Sequence, residues 1–137
     1  MIEVISNEKQ IAHWVAHQNQ LSKIWDDAEG YGFLVDGRMA GGVIFTGYTG
    51  RDIQAHIAIR DSSWCQRQYL RFISEYPFKR KNVIRVSAIC REGNEKAVKL
   101  AGQWGFKREG CLRQYFADNE NALVWGMLKD ECNFLEK

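Results

Sequence analysis

Residues 52–90 read DIQAHIAIRDSSWCQRQYLRFISEYPFKRKNVIRVSAIC, and the architecture depends on this stretch. Its opening segment, DIQAHIAI, is apolar enough to form a central strand. From Trp64 to about Phe78 the apolar residues recur at helical spacing, and residues 83–90 then alternate as a second strand. A strand, a helix and a strand of these lengths form a right-handed crossover unit, so the sequence predicts two parallel neighbouring strands.

The residues before this unit predict one strand, two helical segments and a hairpin. Residues 2–6 are typical of a short strand, and Asn7 is a candidate N-cap for the helix that follows. Apolar residues within 21–25 continue as a second short helical segment. Two apolar runs, 32–35 and 42–45, flank an Asp-Gly pair, which is a strong signal for an antiparallel hairpin.

The residues after the unit predict one more helix and a final pair of antiparallel strands. Asn94 is a candidate cap for a helix over 95–104, and Gly105 is typical of a helix stop. Residues 106–116 and 122–128 are the last two strands, joined by a polar turn. The element order is therefore β-α-α-β-β-β-α-β-α-β-β, which predicts a single α/β or α+β domain over residues 1–137.

Composition excludes several classes of protein. With 137 residues the chain fits one domain, and five Trp, five Tyr and seven Phe against a net charge of +2 exclude intrinsic disorder. No run approaches the roughly 20 apolar residues of a membrane-spanning helix. The start, MIEVISNEKQ, lacks the basic and then apolar pattern of a signal peptide. We therefore expect a cytoplasmic protein without membrane association.

The four cysteines and the charge distribution are only weakly informative about ligands. Cys65, Cys90, Cys111 and Cys132 contain no CxxC pair, so we expect reduced thiols and no metal site. Basic residues are crowded into 67–85, a pattern that suits a phosphorylated ligand but equally suits a solvated face. Neither a zinc-finger spacing nor an aromatic RNA-binding signature occurs, so a nucleic-acid partner is not favoured.

Residues 94–113, NEKAVKLAGQWGFKREGCLR, resemble the C-terminal signature of the GNAT superfamily of acetyl-CoA-dependent acetyltransferases. In that family an Asn opens the last helix, Gly-Phe ends it, and a Glu-Gly-x-Leu-Arg strand follows. This form is most similar to the ribosomal-protein N-acetyltransferase branch, and the chain length is similar to that of small GNAT proteins of tailed bacteriophages. The resemblance implies a GNAT-like domain, with a mixed, mostly antiparallel sheet, a central parallel pair of the fourth and fifth strands, and helices on both faces.

The resemblance also implies where acetyl-CoA would bind. The fourth and fifth strands part, so the backbone of Ile57, Ala58 and Ile59 is expected to pair with the pantetheine amides, and Asn94 to reach the same arm. The pyrophosphate is expected on the turn after Ile59 and the following helix N-terminus. Relatives carry glycines in that turn and this chain has none. Side chains are the expected substitutes: Ser62, Ser63, Gln66, Arg67 and Gln68. The alternative is that this turn serves only as a helix cap and that the cofactor site has decayed.

Four residues are candidates for the chemistry of acetyl transfer to an amine. His56 is our first choice as general base because imidazole titrates near neutral pH, although a histidine in a strand is more often structural. Glu109 is the second choice, and it is equally plausible as a strand-pairing residue. Ala101 stands where many relatives place a proton-donating Tyr. Tyr115 and Ser87 are the remaining donor candidates, each equally typical of a packing or ladder residue.

The residues of the acceptor site carry no motif. Asp52 and Gln54 are candidates for the acceptor pocket, and Asp26, Asp27 and Glu29 either attract a cationic amine or form a solvated loop. His13 and His17 have the i, i+4 spacing of a zinc pair without a third ligand, so a surface pair is favoured.

We therefore expect an N-acetyltransferase that transfers the acetyl group directly from acetyl-CoA to an amine of a protein or small molecule. Two alternatives stay open. One is a GNAT-fold interaction or structural protein, such as a virion component, that has lost activity. The other is a transferase acting on nucleic acid or a modified base. Oligomeric state is not predicted.

Overall fold

The computed structural model describes residues 1–6, 8–19 and 28–135. In this part of the chain three α-helices and seven strands form. The elements are β1 (Ile2–Ile5), α1 (Glu8–Gln18), β2 (Glu29–Val35), β3 (Arg38–Thr46), β4 (Asp52–Ile59), α2 (Arg67–Glu75), β5 (Arg85–Arg91), α3 (Glu95–Trp104), β6 (Lys107–Ala117) and β7 (Glu120–Leu128). The predicted cap Asn7 and the second helical segment at 21–25 lie outside the described residues.

The strands form one sheet in the order β1-β2-β3-β4-β5-β7-β6. Every neighbouring pair is antiparallel except β4 and β5, which run parallel. The parallel pair arises because α2 carries the chain back along the sheet between the two strands. The α+β class, the mostly antiparallel sheet and the central parallel pair are therefore confirmed.

Helices cover both faces of the sheet, as predicted. On one face, Ile11 and Val15 of α1 pack against Ile44 and Ala58. On the other face α2 and α3 contribute to the larger core, with residues such as Leu70 and Leu100 fully buried. β4 lies at the centre of the order, so it is covered by α1 on one side and by α3 on the other.

The predicted hairpin is present, and its strands are longer than the sequence suggested. Asp36 and Gly37 have φ angles of 51° and 82°, as a two-residue turn with left-handed residues requires. The sequence predicts that the second strand of the hairpin begins at Gly42, but Gly41 and Gly42 both lie inside β3. Glycine is needed at these positions because neighbouring side chains pack directly against the backbone. The indole of Trp64 covers Gly41 on one face, and Val15 of α1 approaches Gly42 on the other.

The segment after β4 differs from the prediction of one helix beginning at Trp64. A short 3-10 turn, Ser62–Trp64, comes first, and Gln66 is extended, with φ −109° and ψ 152°, so α2 starts only at Arg67. The reason is Trp64, which is completely buried and stacks on Phe33 with ring centroids 4.3 Å apart. Placing this indole in the core sets the turn before the helix can begin. After α2, a single π-helical turn, Tyr76–Arg80, accommodates Pro77.

Ser74 joins three segments in the core beneath the sheet. Its hydroxyl donates to the carbonyl of Leu70 (2.7 Å) and accepts the indole N–H of Trp104 (2.8 Å), while the Cys132 thiol lies 3.5 Å away. The C-terminal segment is thereby held against α2 and α3, and Leu135 is buried with it. Among the described residues, no helix has both the length and the apolar character needed to cross a membrane.

Replacing Gly41 with Ala tests the contact that positions Trp64. A Cβ on Gly41 would lie 2.2 Å from the indole Nε1, so the Gly41→Ala protein is expected to lose about 1–3 kcal/mol of unfolding free energy. Chemical denaturation measures this loss. Gly102→Ala is the matched control, because that position in α3 has no neighbour within 4 Å and should gain about 1 kcal/mol. Equal stability of Gly41→Ala and the parent protein would contradict the contact.

Candidate functional site

The parallel strands β4 and β5 separate partway along their length. Their pairing runs from Asp52 opposite Arg85 to His56 opposite Ile89 and ends there. β4 continues to Ile59 while still paired with β3, and β5 continues to Arg91 while still paired with β7. The two strands therefore diverge into a gap, as the resemblance implied.

Backbone direction decides which groups of β4 face this gap. The N–H of Arg60 donates to the carbonyl of Ala40, a residue of β3, so the backbone groups of Arg60 face β3. Because backbone groups alternate in direction along a strand, Ala58 also faces β3, where Gly42 is its partner, whereas Ile57 and Ile59 face the gap. Of the three residues expected to meet pantetheine, two present their amide groups to the gap.

A side-chain amide from α1 lies across the gap. Asn19 follows the last turn of α1 and is buried, and its Nδ2 lies 3.5 Å from the carbonyl oxygen of Ile57. The backbone carbonyl of Asn19 accepts a 2.8 Å hydrogen bond from the guanidinium of Arg91 of β5, which also pairs with Glu120. The Asn19 contact with β4 is at the long limit of a hydrogen bond, so a better placed donor can replace it. Sequence reasoning missed this residue.

His56 is buried at the point where β4 and β5 part. Its Nε2 lies 2.8 Å from Oγ1 of Thr46, within hydrogen-bond distance, and both residues are buried. Alternation along β4 places the imidazole on the α1 face, the face from which Asn19 enters. The first-choice base is thus one residue from the gap-facing backbone of Ile57, and Thr46 limits the orientation of its ring.

A polar network crosses the sheet at the opposite end of β4. Ser87 donates to Asp52 (2.8 Å) and accepts from Arg85 (3.0 Å), and the Arg85 guanidinium binds both carboxylate oxygens of Glu109. Gly126 of β7 lies beneath this ion pair, and a Cβ there would lie 2.3 Å from a Glu109 oxygen. This network of side chains thus links β4, β5 and β6 by passing over β7.

Two candidate catalytic residues, Ser87 and Glu109, are part of this network, and Ser87 lies opposite Gln54, two residues before the ladder ends. Asp52 precedes Ile57 by five positions, which is roughly 16 Å along a strand. The hydrogen bond from Arg85 holds the pKa of Glu109 below its ordinary value, and the carboxylate in turn raises the pKa of Arg85. A carboxylate bound in this way is a poor base. The geometry of Glu109 fits the strand-pairing interpretation, and the Ser87 hydroxyl has two partners of its own.

Tyr115 is on the edge strand β6, and β7 separates it from β5. Its ring packs edge-on against Phe116, with centroids 4.9 Å apart, and its side chain is 43% exposed. Phe116 in turn lies under the guanidinium of Arg91. Ala101, at the position of the missing helix tyrosine, is buried in the core. The described contacts therefore bring neither Tyr115 nor Glu109 to His56.

The glycine-free turn after β4 is held by an internal carboxylate. Asp61 accepts the N–H of Ser63 (2.9 Å) and its hydroxyl (2.6 Å), and these bonds lower the pKa of Asp61. Gln66 donates its side-chain amide to the carbonyl of Ser63, and the Arg67 guanidinium lies 6.0 Å above the Phe134 ring. Gln68 is exposed at the start of α2. Of the predicted phosphate ligands, Ser63 and Gln66 already have partners within the turn.

A cavity of about 270 Å³ separates this turn from α3. It is lined by Ser62, Cys65, Lys96, Lys99, Leu100 and Gln103. Burial raises the pKa of the Cys65 thiol to about 12, so that side chain is neutral here. Asn94 caps α3 by accepting the N–H of Ala97 at 3.2 Å, as predicted. The two lysines were missed by sequence reasoning, although their i, i+3 spacing after a capped helix start was a usable signal.

The other predicted residues have ordinary surroundings. Glu29 begins β2 and lies 3.9 Å from the ammonium of Lys81, while Asp26 and Asp27 lie outside the described residues. Gln54 is exposed, as are His13 and His17 on α1. Within residues 1–6, 8–19 and 28–135, no group of three or more His, Cys, Asp or Glu side chains is placed to hold a metal ion.

Known acetyltransferases share this architecture. A probable acetyltransferase matches with a TM-score of 0.70 and 17% identity over 95% of this chain and 94% of the other. A mutant of spermidine N-acetyltransferase SpeG from Vibrio cholerae matches with a TM-score of 0.70 and 15% sequence identity, over 94% of both chains. The same enzyme in complex with CoA and spermine matches with a TM-score of 0.68 and 15% sequence identity, over 95% of this chain and 96% of the other.

Comparisons by sequence add no assignment. No family model matches the chain. The search of curated proteins also found no match. At the identities above, likeness to solved structures establishes the fold alone, and these neighbours are acetyltransferases of the GNAT type. The chain therefore has the GNAT fold.

Replacing Glu109 with Gln tests the role of the polar network. The pKa of Glu109 is lower in the folded protein than its ordinary 4.5, so its ion pair stabilises the fold above that pH and is lost as pH falls through the folded value. We expect Glu109→Gln to lose about 0.5–1 kcal/mol at pH 7, a small loss because the pair is partly exposed. The difference from the parent protein should shrink on acidification.

Urea unfolding at a series of pH values measures both effects. Glu3→Gln, on the exposed edge strand β1, removes the same charge and serves as control, with no loss expected at pH 7. A stability difference for Glu109→Gln that stayed constant down to strongly acidic pH would contradict the ion-pair interpretation.

Proposed function

We propose that this protein is an acetyl-CoA-dependent N-acetyltransferase that transfers the acetyl group directly to an amine of a protein or small molecule. One observation carries the proposal: β4 and β5 part after His56 and Ile89, which leaves backbone groups of Ile57 and Ile59 facing a gap. Buried backbone amides require partners, and an extended ligand with amides of its own supplies them.

The residues around the gap fit the pantetheine arm of acetyl-CoA. The primary amide of Asn19 already donates toward the carbonyl of Ile57, so an amide N–H is accommodated at that position. In this interpretation the ligand amide displaces Asn19, and the gap-facing amides of Ile57 and Ile59 align the arm. Acetyl-CoA supplies an activated thioester when bound. A neighbour of this fold, SpeG, has been solved in complex with CoA and spermine, which supports the same ligand class here.

His56 is our proposed general base. The amine nitrogen attacks the thioester carbonyl carbon, the carbon–sulfur bond breaks, and the proton of the amine passes to the imidazole. The contact between Thr46 and Nε2 of His56 restricts the orientation of the imidazole. A cysteine thiol has a pKa of about 8.5, and the similar thiol of CoA can therefore leave as a thiolate without a dedicated proton donor. Ala101 at the usual tyrosine position is compatible with this mechanism, and Tyr115 and Ser87 are not required.

The acceptor is proposed only as an amine. SpeG binds spermine, and a cationic amine would also suit the acidic residues proposed for the acceptor side of this chain, Glu29 among them. The branch of the family most similar in residues 94–113 modifies ribosomal proteins, so a protein amine is an equal candidate. A bacteriophage source stays a prediction from chain length.

A second candidate function is that of an interaction or structural protein with the same fold but no transfer activity. The observation favouring it is the turn after β4, where Asp61 occupies donors that a phosphate would otherwise use. A transferase acting on nucleic acid has less support. Three of the basic residues within 67–85 are in ion pairs, namely Lys79 with Glu75, Lys81 with Glu29 and Arg85 with Glu109.

Calorimetry with acetyl-CoA separates the two candidates. The transferase is expected to bind acetyl-CoA with a dissociation constant below about 1 mM, since typical enzyme substrates bind in this range. Asn19→Ala should leave binding intact or tighten it, because the competing amide is removed. No binding heat at millimolar acetyl-CoA would end the transferase proposal and leave the non-catalytic one.

Replacing His56 tests the base. His56→Gln should lower turnover of an accepted amine by about 100-fold or more while changing acetyl-CoA affinity by less than about threefold. His13→Gln, an exposed histidine on α1, is the matched control and should retain full turnover. Thr46→Val should lower turnover less and shift its pH profile, because Thr46 acts only by positioning the imidazole. Unchanged turnover in His56→Gln would assign the base elsewhere.

A further inference from the structure

The turn that follows β4 has few donors left for an anion. The N–H groups of Arg60 and Asp61 both donate to the carbonyl of Ala40. Those of Cys65 and Gln66 donate to carbonyls within the turn, and that of Ser63 donates to the carboxylate of Asp61. Asp61 also adds a negative charge at this place. A phosphate binding to these five N–H groups would have to break these bonds and approach an ionised carboxylate.

The opposite wall of the cavity carries the positive charge. Lys96 extends from α3 to the end of β4, where its Nζ donates to the carbonyl of Arg60 at 3.1 Å. Lys99 follows one helical turn later and lines the same cavity. In the described part of the chain, neither lysine forms an ion pair within 4 Å. The cavity is therefore lined by two lysines without an ion-pair partner, one of which, Lys96, donates to a backbone carbonyl.

The position of this cavity matches the outlet of the gap. Lys96 contacts the residue directly after Ile59, which is the last gap-facing residue of β4. A ligand that lies along the gap therefore emerges beside Lys96 and Lys99. The phosphate groups of CoA follow the pantetheine arm, so in a ligand that leaves the gap past Ile59 they would lie on the side of the two lysines.

We propose that Lys96 and Lys99 of α3 hold the phosphate groups of CoA, in place of the backbone of the turn after β4. The inference rests on the proposed function and goes beyond it, because it moves the phosphate site from a loop to a helix. Lysine binds phosphate as a flexible point charge, so this site needs no glycine. The glycine-free turn is then compatible with cofactor binding. Ser62 and Gln103 line the same cavity and offer neutral donors.

Calorimetry with two ligands tests the assignment. Acetyl-CoA carries the phosphates, and S-acetylpantetheine carries the same thioester and amides without them. The double variant Lys96→Met/Lys99→Met keeps the apolar stems of the side chains. It is expected to bind acetyl-CoA at least about tenfold more weakly, because each lost charge-assisted hydrogen bond has a measurable cost, and to bind S-acetylpantetheine as the parent does.

Two further variants sharpen the test. Lys79→Met removes one exposed lysine from the π-helical turn and should bind acetyl-CoA like the parent protein. Asp61→Asn keeps a hydrogen-bond acceptor at the turn but removes its charge. It should bind acetyl-CoA about threefold more tightly, and added salt should weaken the parent protein more than the double lysine variant. Thermal unfolding confirms that each variant is folded.

The outcomes are distinguishable. If the double lysine variant binds acetyl-CoA as tightly as the parent protein, the lysine site is wrong and the transferase proposal stands. If both ligands weaken equally, the lysines support the gap and not the phosphates, which also overturns the inference. If the parent protein binds neither acetyl-CoA nor S-acetylpantetheine, the proposed function itself fails.

Discussion

The end of the β4 and β5 ladder at His56 and Ile89 is the constraint on which the remaining features depend. Beyond that point each strand keeps its other partner, β3 for β4 and β7 for β5. Because both outer ladders persist while the sheet twists, the two inner strands are drawn apart and not simply frayed. Backbone groups in the centre of a sheet are thereby left without their usual partners, and such groups are costly unless something pairs with them.

The surroundings of the gap show how the fold manages this cost. On the α1 face Asn19 spans the opening, linked to Ile57 on β4 and to Arg91 on β5. The contact with Ile57 is long, whereas the contact with Arg91 is short. The bridge is therefore anchored on β5 and weak on β4. A ligand amide competes only with the weak half, so binding need not disturb the anchoring of α1.

Several charged residues near the sheet have partners within the protein, whereas two lysines of α3 are proposed to bind a ligand. Arg85 and Glu109 pair across β7, and this crossing is possible because Gly126 has no side chain. Asp61 is likewise satisfied by its own turn. Lys96 and Lys99 are the contrasting case, since they face a cavity at the end of the gap.

Local signals in the sequence determined much of this protein. The crossover unit, the Asp-Gly hairpin and the Asn94 cap each depend on residues close together in the chain, so periodicity and capping rules found them, and the Glu-Gly-x-Leu-Arg signature led to the fold. Only the tertiary structure decided which backbone groups face the gap, that Asn19 lies across it, and that Glu109 is bound by Arg85. Those contacts join residues 24 to 38 positions apart, and their partners are set by strand order and register, which no local pattern encodes.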